Sequence, residues 1–292
     1  MDSSLEAKRR ALVELRLRQR RAQDQVATPS STVVALAAGG PQPAFFCVHA
    51  SGGSAAPYIP LAKEFDGDRA FHALEAVGLH GGEPLRQVEH QAVRYLVDIR
   101  AEQPSGPYQL GGWSVGGMVA LEMAIQLRER GEHAGCVVMV DTTAPWQGEP
   151  GPPIDALLGF AYDVAALVDR EPPELSPADL TALPPEDQPP TVVAGLIKAG
   201  LVPAELEAQT LDRMRVFVAN SNAYYQYQPR PYAGPVTLLS AADTSPENAD
   251  RWRALLPGLR HRVVPGTHYS MLRPPHVYAV AAALRECLDD AA

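Results

Sequence analysis

The chain has 292 residues, and its 34 acidic and 25 basic side chains give a net charge of −9 at pH 7. That length allows one large α/β domain or two small ones with a sizeable core. The acidic balance argues against a nucleic-acid partner, which would need a net basic face. No run approaches the ~18 consecutive apolar residues of a membrane span, and the N-terminus has no apolar signal region.

The three cysteines are odd in number and far apart in the sequence, at Cys47, Cys136 and Cys287. This spacing does not fit a disulfide framework or a zinc site. We therefore expect reduced thiols, no metal and a cytoplasmic protein.

The N-terminal segment, residues 1–31, differs from the rest of the chain in composition. Residues 4–22 are rich in helix-forming side chains and lack Pro and Gly, which predicts a short helix, and residues 23–31 have the composition of a linker. Residues 1–22 carry seven basic and three acidic side chains, a net charge of +4. We interpret the segment as a basic helix and linker that could dock onto a partner, and a solvated charged helix is the alternative.

From residue 32 to residue 292, short apolar runs alternate with helical stretches. The predicted strands are STVVALA, PAFFCVHA, AFHALEAVG, PYQLGGW, AGCVVMVD, GPVTLLSAA and HRVVPGTH. The predicted helices among and after them are APYIPLAKEF, QVEHQAVRYLVDIRAEQ, SVGGMVALEMAIQLRERG and PPHVYAVAAALRECLDD. This alternation predicts an α/β fold with a doubly wound, mostly parallel sheet.

No convincing strand lies between Asp141 and Gly234, and 12 of the 28 prolines fall between residues 145 and 205. An insertion this long is unusual as a plain loop in a compact domain. Its repeated apolar runs favour a helical lid at about 145–205, followed by a longer helix at about 204–227. A proline-rich disordered linker is the alternative.

The segment Gly112-Trp113-Ser114-Val115-Gly116 matches the pattern G-x-S-x-G. It stands between the predicted strand YQLGG and a predicted helix, where a sharp turn raises the serine hydroxyl above the sheet. The N-terminus of the helix also favours an anion formed nearby. The sequence therefore predicts an α/β-hydrolase fold with Ser114 as nucleophile.

A serine nucleophile needs a base, and in this fold the acid and the histidine follow the serine in the chain. His268 follows the last predicted strand and is the expected base. Two acids compete for the third position, because Asp141 ends the strand after the nucleophile helix and Asp243 follows the next strand. Analogy with the fold alone favours Asp243.

The oxyanion formed on attack needs two N–H donors. We expect one from Val115, the residue after the nucleophile. The other is expected from Ser51 in the glycine-rich loop after FFCVHA, with Ala50 as the second choice.

The motifs FFCVHASGGSAAPYIPLA, GGWSVGGMVALEMAIQL, VVMVDTTAP, YAGPVTLLSA and GTHYSML resemble, in this order, thioesterase domains of nonribosomal peptide and polyketide synthetases. The resemblance spans roughly residues 40–290. It favours Asp141 as the triad acid, through VVMVD, and it places the lid in the proline-rich insertion. One departure is Ala50, where the family usually has Pro after His49, which bears on the donor assignment.

The resemblance implies release of a peptidyl or polyketide chain from a carrier protein by hydrolysis or macrocyclisation. Trp113 before the nucleophile favours chain release, since editing thioesterases more often carry His there. An editing thioesterase that removes short acyl groups, a general esterase and a non-catalytic binding module are the alternatives. No cofactor is expected, because the phosphopantetheine arm of the acyl or peptidyl carrier enters with the substrate. We expect the carrier to be another chain or a domain outside this sequence, and residues 1–22 could bind it.

Apolar side chains of the insertion predict a channel for an apolar acyl or peptidyl chain. The candidates are Leu157, Leu158, Phe160, Leu196, Ile197, Phe217, Tyr224 and Tyr225.

Overall fold

A seven-stranded sheet lies at the centre of the part of the chain that the structure, a computed structural model, describes: residues 31–145 and 153–290. The predicted helix and docking segment at residues 1–22 fall outside these ranges. The strands are β1 (Val33–Ala37), β2 (Gln42–Val48), β3 (Arg69–Leu74), β4 (Tyr108–Trp113), β5 (Ala134–Val140), β6 (Val236–Ala241) and β7 (Arg260–Val264).

The strand order is β1-β3-β2-β4-β5-β6-β7, with β1 antiparallel to β3 and every other pair parallel. All residues of β4 and β6 are buried, as expected for strands covered on both faces. From β2, the strands β3 and β1 lie toward one edge of the sheet, and β4 to β7 follow in chain order toward the other edge. The predicted α/β-hydrolase fold with a mostly parallel sheet is confirmed.

Helices cover both faces of the sheet. Those of the main fold are α1 (Ile59–Lys63), α2 (Val88–Glu102), α3 (Val115–Glu129), α8 (Glu247–Leu255) and α9 (Val277–Asp289). Apolar residues of α2, α3 and α8 form one core cluster with the sheet, and those of α1 and α9 form another on the opposite face. This two-sided burial fixes the sheet, and with it the positions of the strand ends.

A separate group of helices lies between β5 and β6 and is called the lid below. It consists of α4 (Pro153–Leu167), α5 (Pro177–Thr181), α6 (Gln188–Lys198) and α7 (Glu207–Gln226). These helices share their own apolar cluster. In α5 and α6 the first turn contains proline, whose missing N–H costs no hydrogen bond because N–H groups of a first turn have no acceptor within the helix. Because α7 packs in the same cluster, the helical layer extends past the bounds of about 145–205.

Helix α8 was not among the predicted elements. Its nine residues, ENADRWRAL, contain few apolar side chains, so the sequence shows no helical periodicity. Burial of Trp252 and Asn248 holds the helix on the fold, and both side chains donate hydrogen bonds to the carbonyl of Thr142. Helix α8 therefore supports the loop that follows β5.

No helix in the described ranges is long and apolar enough to cross a membrane.

Candidate active site

The carboxyl ends of β4 to β7 lie side by side. Trp113 at the end of β4 pairs with Val140 at the end of β5, and Ala241 on β6 pairs with Val264 on β7. Ser114 and Asp141 are the next residues after β4 and β5, and the loop after β7 carries His268. The sheet register thus brings three distant parts of the chain together at the carboxyl ends of the strands.

Ser114 has φ 58° and ψ −126°, a conformation that non-glycine residues rarely adopt. Its N–H donates to the carbonyl of Val140 at 2.8 Å, and its own carbonyl accepts from Thr142 Oγ1 at 2.8 Å. Close backbone packing requires glycine on either side. A Cβ on Gly112 would lie 2.2 Å from Gly116 C, and one on Gly116 would lie 2.2 Å from Val48 O. The turn is therefore the strained elbow that the G-x-S-x-G pattern predicts.

His268 Nδ1 lies 2.6 Å from Asp141 Oδ2. The other carboxylate oxygen, Oδ1, accepts from the Ala241 N–H at 2.9 Å and from Thr244 Oγ1 at 2.7 Å. Burial by itself would raise the pKa of Asp141, but the bonds from His268, Thr244 and Ala241 lower it overall. Because the ionised carboxylate only accepts, the Nδ1 proton belongs to His268 and Nε2 is left as the acceptor of the neutral ring.

Asp243, the competing acid, also lines the cavity at this edge. Its side chain is exposed, and no hydrogen bond joins it to His268 within the described ranges. The imidazole is instead bonded to Asp141.

The Ser114 side chain and His268 face the same cavity, but no hydrogen bond joins them among the described residues. Such bonds between nucleophile and base often tighten only when substrate is present. The imidazole lies against the indole of Trp113 in a tilted arrangement, with ring centroids 4.9 Å apart and planes inclined by 32°, and Tyr269 meets both rings edge-on. These aromatic contacts restrict rotation of the imidazole ring.

Ser51 and Val115, the predicted oxyanion donors, line the cavity beside Ser114. Val115 is the first residue of α3, so its N–H has no acceptor within the helix. Ser51 lies in a turn closed by the Gly53 N–H on the carbonyl of Ala50 at 2.9 Å. In the parts of the chain that are described, the N–H of Ser51 donates to no protein group. Both N–H groups are therefore available to a ligand, whereas Ala50 does not line the cavity.

The cavity has a volume of about 1120 Å³ and is bounded by the strand ends and by the lid. Four of the predicted channel side chains line it, namely Leu158, Phe217, Tyr224 and Tyr225. The other four, Leu157, Phe160, Leu196 and Ile197, pack in the apolar cluster of the lid instead. Among the described residues, the charged side chains of the lining are Asp141, Asp155 and Asp243, and no Lys or Arg is found there.

Sequence reasoning missed several polar residues that hold this site together. The Thr244 hydroxyl donates a hydrogen bond to the Asp141 carboxylate, and the Thr142 hydroxyl donates one to the Ser114 carbonyl in the elbow. Tyr58 accepts from the Trp113 N–H at 3.0 Å and donates to Val48 O at 2.5 Å, which ties the ends of β2 and β4 together. Single threonines and tyrosines carry no pattern in a sequence, so only their contacts reveal these roles.

The sequence model of the thioesterase domain family matches residues 43–289. The chain belongs to the thioesterase domain family. The resemblance drawn from its motifs is thereby confirmed.

Relatives of this thioesterase domain occur within large synthetases. Malpibaldin synthetase of Mortierella alpina is 38% identical over 117 residues, which are 40% of this chain and 2% of the synthetase. Aspulvinone E synthetase of Aspergillus terreus is 28% identical over 285 residues, covering 88% of this chain and 29% of the synthetase. The thioesterase domain therefore corresponds to only a small part of these proteins.

Solved structures show the same fold. The NocB thioesterase domain, in covalent complex with a fluorophosphonate nocardicin G analog, is 30% identical with a TM-score of 0.62, and the match covers 88% of this chain and 99% of that one. A four-domain nonribosomal peptide synthetase bound to AMP and glycine is 28% identical with a TM-score of 0.78, and the match covers 93% of this chain and 21% of that one.

Proposed function

We propose that this thioesterase domain releases a peptidyl or polyketide chain from a phosphopantetheinyl carrier protein through an acyl-enzyme on Ser114. The observation that carries the proposal is that Ser114 and the bonded pair Asp141–His268 open into one large cavity covered by the lid. The likeness to a four-domain nonribosomal peptide synthetase supports the choice of substrate.

In the first half-reaction His268 Nε2 removes the proton of Ser114, and Oγ attacks the thioester carbonyl. Asp141 holds the imidazole in the required tautomer and stabilises the imidazolium. The N–H groups of Ser51 and Val115 receive the negative charge that develops on the carbonyl oxygen. As the C–S bond breaks, His268 returns the proton to the pantetheine sulfur, which leaves as a thiol.

In the second half-reaction a water molecule or a nucleophile of the chain itself attacks the ester on Ser114. His268 takes the proton of that nucleophile and returns it to Ser114 Oγ, which restores the enzyme. Water gives a free acid, and an internal amine or hydroxyl gives a ring. The apolar and aromatic lining, with Phe217, Tyr224 and Tyr225, fits a chain that is mostly uncharged.

The partner in this proposal is an acyl or peptidyl carrier protein, which presents the thioester on its phosphopantetheine arm. The arm belongs to the substrate, so we expect no resident cofactor. The relation to a four-domain synthetase structure supports a carrier partner.

The test compares kcat/KM for acetyl-pantetheine and for a long peptidyl-pantetheine, with product masses recorded. Ser114→Ala is expected to abolish turnover and the acylated intermediate seen by intact-protein mass, whereas Ser105→Ala, in an exposed turn, should leave both unchanged. Preference for the long substrate supports chain release, and the product mass separates acid from ring. Preference for the acetyl substrate would instead indicate an editing thioesterase, and indifference to the pantetheine leaving group a general esterase.

A further inference from the structure

The turn that carries Ser51 is held at both peptide groups that flank the Cα atom of this residue. One of these groups contains the Ala50 carbonyl and the Ser51 N–H, and the other contains the Ser51 carbonyl and the Gly52 N–H. In a trans peptide the C=O and N–H point in opposite directions, so a hydrogen bond to the carbonyl also aims the N–H. The first group aims the Ser51 N–H directly, and the second fixes the backbone on the other side of the Ser51 Cα atom, so that the two groups together keep the donor from rotating.

The first peptide group is held by His49. Its Nδ1 lies 2.7 Å from the Ala50 carbonyl, and its Nε2 lies 2.6 Å from the hydroxyl of Tyr95. Complete burial lowers the pKa of His49 to about 4, so the ring is neutral at pH 7. A neutral ring facing a carbonyl must donate from Nδ1, which leaves Nε2 to accept from Tyr95.

The second peptide group is held from the lid. Asn220, on α7, donates from Nδ2 to the Ser51 carbonyl at 2.9 Å. The Asn220 Oδ1 atom in turn accepts from Gln91 Nε2, on α2, at 2.9 Å. Asn220 and Gln91 are each 1% exposed, so water does not compete for these bonds. The orientation of the Asn220 amide is thus set by Gln91.

We propose that Asn220 is a positioning residue for the oxyanion hole, so that the direction of the Ser51 N–H depends on lid helix α7. This inference rests on the proposed function, in which Ser51 is a donor. Asn220 touches no reacting atom and acts through the Ser51 carbonyl. The lid then does more than cover the cavity, because it also supplies the side-chain hydrogen bond to the Ser51 carbonyl, while His49 and the Gly53 N–H bind the Ala50 carbonyl.

Other contacts keep α7 on the main fold. Arg215 Nη2 donates to the Gly82 carbonyl at 2.9 Å, and the Tyr224 hydroxyl donates to the Thr143 carbonyl at 2.9 Å. Loss of the Asn220 amide therefore leaves the helix attached while it frees the Ser51 carbonyl, so that the donor turn stays held at the Ala50 carbonyl. Arg215 offers a matched control, since its bond also joins α7 to the main fold but does not reach Ser51.

The experiment uses the full chain with Asn220→Asp, assayed at alkaline pH so that the carboxyl is ionised, keeps the acceptor for Gln91 and loses the donor to Ser51. Gln91→Met is a milder second variant, because it leaves Asn220 in place and removes the amide that orients it, together with a longer bond to the Leu85 carbonyl at 3.3 Å. Arg215→Met is the control. Each variant is assayed with an activated ester and with the matching thionoester, in which sulfur replaces the carbonyl oxygen and accepts hydrogen bonds poorly. Thermal unfolding of each variant shows whether it is folded.

A working oxyanion hole makes the wild type prefer the oxygen ester, because only the oxyanion is well matched to the N–H donors. We expect Asn220→Asp to lower kcat for the oxygen ester about 10- to 100-fold, less than loss of a donor costs, with KM nearly unchanged. The ratio of kcat/KM for the oxygen ester to that for the thionoester should also fall in Asn220→Asp. This ratio should fall less in Gln91→Met and stay at the wild-type value in Arg215→Met.

A wild-type preference retained in folded Asn220→Asp would overturn the positioning role. If that variant does not fold, the same result in Gln91→Met would overturn it. A different result tests the proposed function itself: if Ser114→Ala keeps full turnover, or if the wild type shows no preference for oxygen, the nucleophile or the oxyanion hole is misassigned.

Discussion

Asp141 and His268 lie 127 residues apart in the chain, and their side chains are joined by a 2.6 Å hydrogen bond. In the sheet, β6 lies between β5 and β7. The contact depends on this order, because Asp141 directly follows β5 and His268 lies in the loop after β7. The same Asp141 carboxylate accepts from Ala241, the last residue of β6. The strand between them therefore holds the Asp141 carboxylate in place beside the His268 imidazole.

Asp141→Asn is expected to lower kcat about 10³- to 10⁴-fold, because an amide at this position favours the wrong imidazole tautomer. Asp243→Asn should remain near the wild type, since the side chain of Asp243 is exposed and makes no bond to His268. Steady-state kinetics with one pantetheine thioester measures both variants. An inactive Asp243→Asn enzyme beside an active Asp141→Asn enzyme would reverse the assignment.

The lowered pKa of Asp141 predicts how stability depends on pH. A carboxyl with a folded pKa below its unfolded value, about 3.9, stabilises the fold above that value and loses this contribution as pH falls through the folded pKa. The free energy of unfolding of the wild type should therefore fall more steeply from about pH 5 to pH 3 than that of Asp141→Asn. Urea unfolding at stepped pH provides the measurement, with Asp243→Asn as control, and parallel slopes would count against the prediction.

The positive φ of Ser114 predicts that glycine stabilises the elbow and removes its chemistry. Strain at such a residue costs about 1–3 kcal/mol, and glycine avoids most of it. Ser114→Gly should unfold with a free energy about 1 kcal/mol above that of Ser114→Ala, which retains a Cβ. Neither variant should form an acyl-enzyme. Equal stabilities, measured by urea unfolding, would show that the elbow stores no strain.

The basic segment at residues 1–22 predicts a contact with the carrier partner. Its net charge of +4 contrasts with the overall charge of −9. Deletion of these residues should lower kcat/KM for a carrier-bound thioester and leave that for the free pantetheine thioester unchanged. The difference should shrink at high ionic strength, because salt screens exposed charges. Equal losses on both substrates would exclude docking through this segment.

Local patterns in the sequence were sufficient for the strands of the fold. All seven strands were predicted, and the runs of β4 and β6 are apolar nearly throughout because these strands are covered on both faces. The G-x-S-x-G pattern predicted the elbow, because only glycine allows the backbone approach at Gly112 and Gly116. Helix α8 escaped prediction, since its place depends on the contacts of Trp252 and Asn248 and not on a repeating apolar pattern.

The sequence by itself determined the fold class, the family, the nucleophile turn and the two acids that could serve the base. Only the tertiary structure brought His268 to Asp141 and not to Asp243, extended the lid through α7 and linked Asn220 to the Ser51 carbonyl. The physical reason is the distance along the chain over which each kind of interaction acts. Helix and strand patterns repeat within a few residues, whereas a hydrogen bond between Asn220 and Ser51 spans 169 residues and exists only where packing brings the two together.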